Sequence, residues 1–282
     1  MPHVMERRDL SIGEGTAQVW TGGQGDGVPL VLLHGAWAGA APHWSGIWDR
    51  LAAERRVVAP ELPGLGAPST DPPGTVAAYA EWVLRVMDAT AVDRAVVVGN
   101  SFGASIAWCA AATAPARVAA VVLVDGAPGP GLPMWLRRAL AAPPLRRALT
   151  AMFRRNVYSP STAARAFADT RNVPSEVDAV LHDPHPAPLD VVTEVVLASE
   201  PCPAPTTRDV LLLWGDADRL SGSSVRAAQR LQRRIAGSQL VVVSGAGHLP
   251  QVEQPDAVVT ALTRFVDRVD GPRSDRPPDA PT

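Results

Sequence analysis

The run Val96-Val97-Val98-Gly99-Asn100-Ser101-Phe102-Gly103-Ala104-Ser105 constrains this chain more than any other part of it. Consecutive apolar residues bounded by glycine read as a strand buried on both faces. That strand gives way to a helical pattern within a few residues, so Ser101 must sit on a sharp strand-to-helix turn. Bulk two residues before or after the serine would clash with strand and helix, and Gly99 and Gly103 stand at those places. The hydroxyl then projects above the sheet at a helix N-terminus, whose dipole favours a developing negative charge.

The rest of the chain repeats the same alternation. Short apolar runs occur at Leu30–Leu33, Val57–Ala59, Ala95–Val98, Val121–Val124, Val210–Leu213 and Leu240–Val243. Helical patterns lie between and after them, at about Trp44–Glu54, Val76–Thr90, Phe102–Ala112, Ser223–Ile235 and Asp256–Val269. Strand, helix, strand in this order predicts a mostly parallel sheet with helices on both faces. Arg7–Ile12 and Thr16–Trp20, with Gly13 and Gly15 between, read as an N-terminal hairpin. The alternation breaks between about Ala127 and Thr207, where prolines cluster among short amphipathic pieces: Met134–Ala142, Leu145–Phe153, Thr162–Asp169, Ser175–Leu181 and Leu189–Ser199. A helical insertion is expected there. The Pro-, Asp- and Arg-rich residues 271–282 are expected to be a disordered tail.

A serine hydroxyl is a weak nucleophile and needs a base. His248, in Gly245-Ala246-Gly247-His248-Leu249-Pro250, follows the last expected strand, in a loop at the same sheet edge as Ser101. A carboxylate must hold the tautomer of that base. Trp214-Gly215-Asp216-Ala217-Asp218 supplies two, and Asp125, after Val121–Val124, is a rival. Asp216 also suits a turn-shaping role. The oxyanion of the tetrahedral intermediate needs two donors. The Phe102 N–H is one; the loop His34-Gly35-Ala36-Trp37 offers the other, at Ala36. His34 itself is expected to pin that loop by hydrogen bonds rather than to act as a base.

Together these motifs resemble the α/β-hydrolase superfamily from about Leu10 to Val269. The resemblance rests on His34-Gly35, Glu61-Leu62-Pro63-Gly64-Leu65-Gly66, Gly99-Asn100-Ser101-Phe102-Gly103, Leu123-Val124-Asp125, Trp214-Gly215-Asp216-Ala217-Asp218 and Gly247-His248, in the family's order. It implies an α/β-hydrolase fold: a mostly parallel eight-stranded sheet flanked by helices, formed by residues 1–126 and 208–270, with residues 127–207 as a helical lid. It implies a catalytic triad of Ser101, His248 and Asp218, with Asp125 still the rival acid, and no cofactor. The expected reaction is hydrolysis of an ester, thioester or lactone through an acyl-enzyme. The Gly-Asn-Ser-x-Gly elbow also resembles enzymes that hydrolyse carbon–carbon bonds of ring-cleavage products, although Ala36-Trp37-Ala38-Gly39 replaces the Gly-Pro-Gly type run usual there. Cyclases, lyases and acyl transferases reuse the same triad. Serine at the elbow speaks against haloalkane dehalogenase and epoxide hydrolase chemistry, which use Asp. Many members carry Asp where Glu61 stands, a difference expected to alter loop packing.

Composition bounds the partners. The formal net charge is -2, so no nucleic-acid or anionic-membrane footprint is visible, and all 26 basic residues are scattered arginines. Hydrophobic residues make up 46% of the 282, enough for a sizeable core. No run is long enough to span a bilayer. Met1–Asp9 lacks a signal-like apolar region, so a cytoplasmic protein acting on a small molecule is expected. Cys109 and Cys202 are too few for a disulfide framework or a zinc site, and a buried free thiol is expected at Cys109. His182, Asp183 and His185 read as a solvated loop, with no metal. Trp37 and Trp135 are the candidate substrate contacts. Leu136, Leu140, Met152, Phe153, Val195, Val196 and Leu197 give the insertion further apolar faces, most of them expected to pack on the core.

Overall fold

A computed structural model describes residues 5–13, 15–66, 72–128, 142–157, 160–182, 187–207, 209–220 and 224–271. Its sheet contains β1 (Glu6–Ile12), β2 (Gly15–Leu33), β3 (Arg55–Pro60), β4 (Ala95–Asn100), β5 (Val118–Val124), β6 (Val210–Gly215) and β7 (Gln239–Val243). The order is β1-β2-β4-β5-β6-β7, with β3 paired to β2. From β2 through β7 the neighbours on this path are parallel.

Among the described residues seven strands, not the expected eight, build this sheet. The expected strands Thr16–Trp20 and Leu30–Leu33 are two arms of the one irregular strand β2. Both arms pair with β3. Trp20 lies opposite Ala59 and Gly22 opposite Val57, an antiparallel register; Leu30 lies opposite Val57 and Val31 opposite Val58, running the same way along both strands. The Gly-rich stretch between the arms carries the register shifts. It breaks the apolar pattern, which is why the sequence reads as two strands, without breaking the extended backbone.

Burial on both sheet faces explains the unbroken apolar runs. Val31, Leu33, Val97, Val121, Leu123 and Leu212 enter one core with α2 (Val76–Ala89) and α3 (Phe102–Thr113). Leu30, Leu32, Val96, Val98, Val122, Leu211 and Leu213 enter a second core with α1 (Ala40–Ala52). Successive strand residues therefore serve opposite cores. α3 is buried along nearly its whole length, and it is apolar all round.

Between β5 and β6 lie α4 (Pro143–Val157), α5 (Pro160–Ala166), a 3-10 turn (Thr170–Asn172), α6 (Ser175–His182) and α7 (Ala187–Ala198). The expected helix Met134–Ala142 lies almost wholly outside the described residues, as does the expected tail beyond Gly271. Beyond the insertion come α8 (Val225–Arg234), α9 (Pro250–Glu253) and α10 (Pro255–Asp270). α10 carries Val258, Leu262, Phe265 and Val266 into the second core. Buried Arg55 on β3 pairs with Asp267 at 2.9 Å and Asp270 at 3.1 Å, tying α10 to the sheet.

The cysteines correct the expectation of a free thiol: Cys109 and Cys202 form a disulfide across 93 residues of sequence. It joins α3 to the segment leaving the insertion. Nearby, Ser199 Oγ accepts from the Val76 N–H at 2.8 Å and donates to the Val195 carbonyl at 2.6 Å, fixing the same segment to the start of α2.

Candidate active site

The elbow forms as the spacing of small residues requires. Ser101 has φ +52°, a left-handed conformation that non-glycine residues seldom adopt. A Cβ on Gly99 would meet the Gly103 carbonyl oxygen at 2.2 Å, and one on Gly103 would meet the Leu33 oxygen at 2.5 Å. The strand and helix thus touch through backbone alone, with Ser101 partly exposed at the corner.

His248 and Asp218 meet: Nδ1 donates to Oδ2 at 2.7 Å, with the histidine 5% exposed and the aspartate 5%. The second Asp218 oxygen accepts from the Leu220 N–H at 2.8 Å. Asp216 instead closes its own turn, accepting from Ser244 Oγ at 3.0 Å and the Gly245 N–H at 2.8 Å. Asp125 is not remote from the pair. Side-chain oxygen or nitrogen atoms of Asp125, Asp218 and His248 all lie within 4.8 Å of one another, the one such cluster of three acidic or imidazole groups among the described residues. His182 is exposed and spends its Nδ1 on Asp178; Asp183 and His185 lie outside the described residues.

The loop after β2 lies against the elbow. A Cβ on Gly35 would come within 3.2 Å of Ser101 Cβ, 3.2 Å of Asn100 Oδ1 and 3.3 Å of His43 Nε2. Ala36 follows, half-buried, and Phe102 lies edge-on to Tyr79 at 5.7 Å between ring centroids. His34 is fully committed to the loop: Nδ1 donates to the Gly35 carbonyl at 2.6 Å and Nε2 accepts from the Leu62 N–H at 2.9 Å. Burial lowers its pKa against the opposing pull of Glu61. Glu61 accepts from Trp20 Nε1 at 3.0 Å and from the Ala40 N–H at 2.9 Å, so its extra methylene over Asp is used to join β2 to the start of α1.

Trp37 is buried, edge-on to His248 with centroids 5.5 Å apart, and clusters with Phe167, Val177, Leu181 and Leu249. It packs the insertion onto the histidine loop. Trp135 lies outside the described residues, as do Leu136 and Leu140. Of the other apolar insertion residues, Val195 is buried and Val196 is 42% exposed.

Two residues escaped the sequence reading. Asn100 Nδ2 donates to the Val124 carbonyl at 3.1 Å and to the His248 carbonyl at 3.0 Å, binding the elbow to the histidine loop. Its signal was a polar residue closing an otherwise apolar strand. Glu253 accepts from the Ala168 and Asp169 N–H groups at 2.9 and 3.1 Å and from the Gly247 N–H at 2.6 Å. It clasps the insertion to the residue before His248, while the His248 N–H itself donates to the Ala166 carbonyl at 2.5 Å. Burial raises the Glu253 pKa above the ordinary carboxylate range.

Comparison with known proteins places this geometry. Residues 30–261 match the alpha/beta hydrolase family, and the chain belongs to that family. It is 29% identical over 255 residues to 2-hydroxy-6-oxo-2,4-heptadienoate hydrolase of Pseudomonas putida, covering 86% of this chain and 90% of the relative. It is 29% identical over 260 residues to 2-hydroxymuconate semialdehyde hydrolase of a Pseudomonas species, covering 87% and 89%. The solved structure of 2-hydroxy-6-oxo-6-phenylhexa-2,4-dienoate hydrolase from a Rhodococcus species superposes with a TM-score of 0.69 at 25% identity, covering 93% of this chain and 99% of that one. A thermophilic esterase from Thermogutta terrifontis shares the fold at a TM-score of 0.65 and 24% identity, covering 94% and 99%. The chain is therefore a hydrolase of the α/β fold. Among the described residues no helix is long and apolar enough to cross a membrane.

Proposed function

We propose that this chain hydrolyses a carboxylic ester, thioester or lactone of a fairly apolar small molecule through an acyl-enzyme on Ser101. The observation that carries this reading is the 2.7 Å His248–Asp218 hydrogen bond, tied through Asn100 to the turn that presents the serine. Asp218 holds the His248 proton on Nδ1, which leaves Nε2 as the base. His248 takes the Ser101 proton as Oγ attacks the carbonyl. The N–H groups of Ala36 and Phe102 receive the oxyanion, aided by the dipole of α3. His248 then protonates the leaving group and draws a proton from the water that releases the acid. Residues 127–207 act as a lid over this site, and Trp37 and Trp135 contact the substrate.

A second reading has its own support. The ring-cleavage hydrolases match along nearly the full length of both chains, and Asn100 belongs to the elbow pattern they resemble. In that reading the same groups cleave a carbon–carbon bond beside a ketone. A panel containing p-nitrophenyl butyrate and 2-hydroxy-6-oxohepta-2,4-dienoate separates the two: the ester reading expects the larger kcat/KM on the ester. Ser101→Ala is expected to lower kcat by about a thousandfold or more on whichever substrate turns over, with an unchanged circular-dichroism spectrum. Equal labelling of wild type and Ser101→Ala by a fluorophosphonate probe would sink the assignment of the nucleophile.

A further inference from the structure

Beside the His248–Asp218 pair lies a second acid that the proposed mechanism does not use. Asp125 directly follows β5 and is 1% exposed. Its backbone has φ +41°, so it joins Ser101 as one of four described non-glycine residues with positive φ. The strain has a visible compensation. The Asp125 N–H still continues the sheet by donating to the Leu213 carbonyl at 3.0 Å. Its carboxyl, swung towards β6, accepts from the Gly215 N–H at 3.2 and 3.1 Å. An oxygen of this carboxyl lies within 4.8 Å of one of Asp218.

Two carboxylates this close and both buried do not both stay ionised, because neither is solvated and their charges repel. The groups facing Asp125 decide which one keeps the proton. Asp218, on the loop after β6, is the partner of His248 and accepts two N–H bonds, from His248 Nδ1 and Leu220. Glu253, from α9, adds further negative charge towards Asp125. Asp125 itself has one backbone donor shared between its two oxygens. The ionised form is thus best supported at Asp218.

We infer that Asp125 is a positioning residue for His248–Asp218: a neutral carboxylic acid that donates its proton in a hydrogen bond to the Asp218 carboxylate. The inference rests on the reading of His248 as base. Burial first, and then the charge of Asp218, hold the Asp125 proton well above the carboxylate range. With this donor in place, Asp218 is oriented from both sides, by imidazole and by carboxylic acid. Asp218 also stays a poor acceptor of the imidazolium proton, so that proton remains on His248 for transfer to the leaving group. No net charge is added behind the histidine, and its basicity is set by one carboxylate instead of two.

Infrared spectroscopy of the whole protein with 13C-labelled aspartate reads the proton directly. At neutral pH the wild type is expected to show a protonated-carboxyl stretch that Asp125→Asn removes; no such band overturns the inference. The pH profile of kcat/KM supplies a second test. An Asn side chain can donate to Asp218 and accept from Gly215, so Asp125→Asn is expected to keep kcat within about threefold and the acid limb in place. Asp125→Ala is expected to lose about 10- to 100-fold in kcat with little change in KM. If the wild-type Asp125 is ionised, Asn removes a negative charge, and the acid limb moves down by about one pH unit or more. That displacement also overturns the inference, as does Asp125→Ala with wild-type kcat. Turnover surviving in Ser101→Ala would instead refute the serine reading, while the infrared band would be unaffected.

Discussion

The strand-end floor of the site and the insertion above it are attached by different physics. The floor is joined through backbone approaching backbone, at Gly99 to Gly103 and Gly103 to Leu33, with no side chain between. The described part of the insertion packs an apolar cluster against Trp37 and Leu249 and is further tied at discrete points. On one side Ala166, Ala168 and Asp169 bind the histidine loop and Glu253. On the other, Ser199 caps onto α2 and Cys202 is bonded to α3. A surface held by close approach allows few residue types and one geometry. A surface held by side-chain packing and a few ties accepts a wider choice of residues. The chemistry sits on the first kind and the proposed substrate cover on the second.

Gly103→Val tests the floor and carries the largest expected effect. Its Cβ would stand 2.5 Å from the Leu33 oxygen and 2.7 Å from the His34 oxygen, both backbone atoms that no side-chain rotation can relieve. A destabilisation on the order of 4 kcal/mol or more is expected, together with loss of ester turnover. Thermal melting followed by circular dichroism measures it. A variant melting near the wild type, with its rate intact, would break the contrast between the two regions.

The double variant Cys109→Ala/Cys202→Ala tests the insertion. Removing a cross-link over 93 residues is expected to cost about 2–4 kcal/mol, mainly by enlarging the unfolded ensemble. Neither cysteine belongs to the elbow or the histidine loop, so turnover of a small ester should fall by no more than about threefold. Urea titration and initial rates measure the two effects. Equal stability of the two proteins, or two free thiols titrating in the native wild type, would remove this tie from the comparison.

The same contrast governed how much of the molecule could be read in the sequence. The buried strands were legible because both of their faces are apolar, and the elbow because close approach demands Gly99 and Gly103. His248 and Asp218 were legible as loop residues at one sheet edge, yet their 2.7 Å contact is tertiary. Asp216 already had a turn-shaping alternative, and it is found closing a turn. What stayed hidden depended on approach between distant segments. Nothing local to Cys109 marks Cys202 as a neighbour. Nothing local to Glu253 reports three backbone donors arriving from two loops. The two arms of β2 were divided because glycines erase a hydrophobic pattern without ending a strand. Asp125 and Asp218 read as rivals for one role, since sequence order alone does not show that both acids reach the same histidine.

The smallest expected effect concerns His43, beneath the Gly35 loop and so part of the floor. Its Nδ1 donates to the Gly39 carbonyl at 2.7 Å. Burial, followed by the nearby charges of His34 and His248, lowers its pKa to about 3. An unfolded histidine titrates near 6.5. Between these values the unfolded chain binds a proton that the folded chain refuses. Stability is therefore whole above about pH 6.5 and falls as the pH drops towards 3, by up to ~1.4 kcal/mol per pH unit for one group. His34 is displaced in the same direction and steepens the fall. Asp125 is displaced upward and acts oppositely: its contribution is present at low pH and is lost as the pH rises. Comparing His43→Asn with wild type cancels both. Asn can still donate to Gly39 but cannot titrate, so its stability should decline less steeply between about pH 6.5 and 4. Urea unfolding at half-unit steps measures the slopes. Parallel curves would mean that the proton penalty of the floor lies elsewhere, and a flatter curve for the variant would place it under the Gly35 loop.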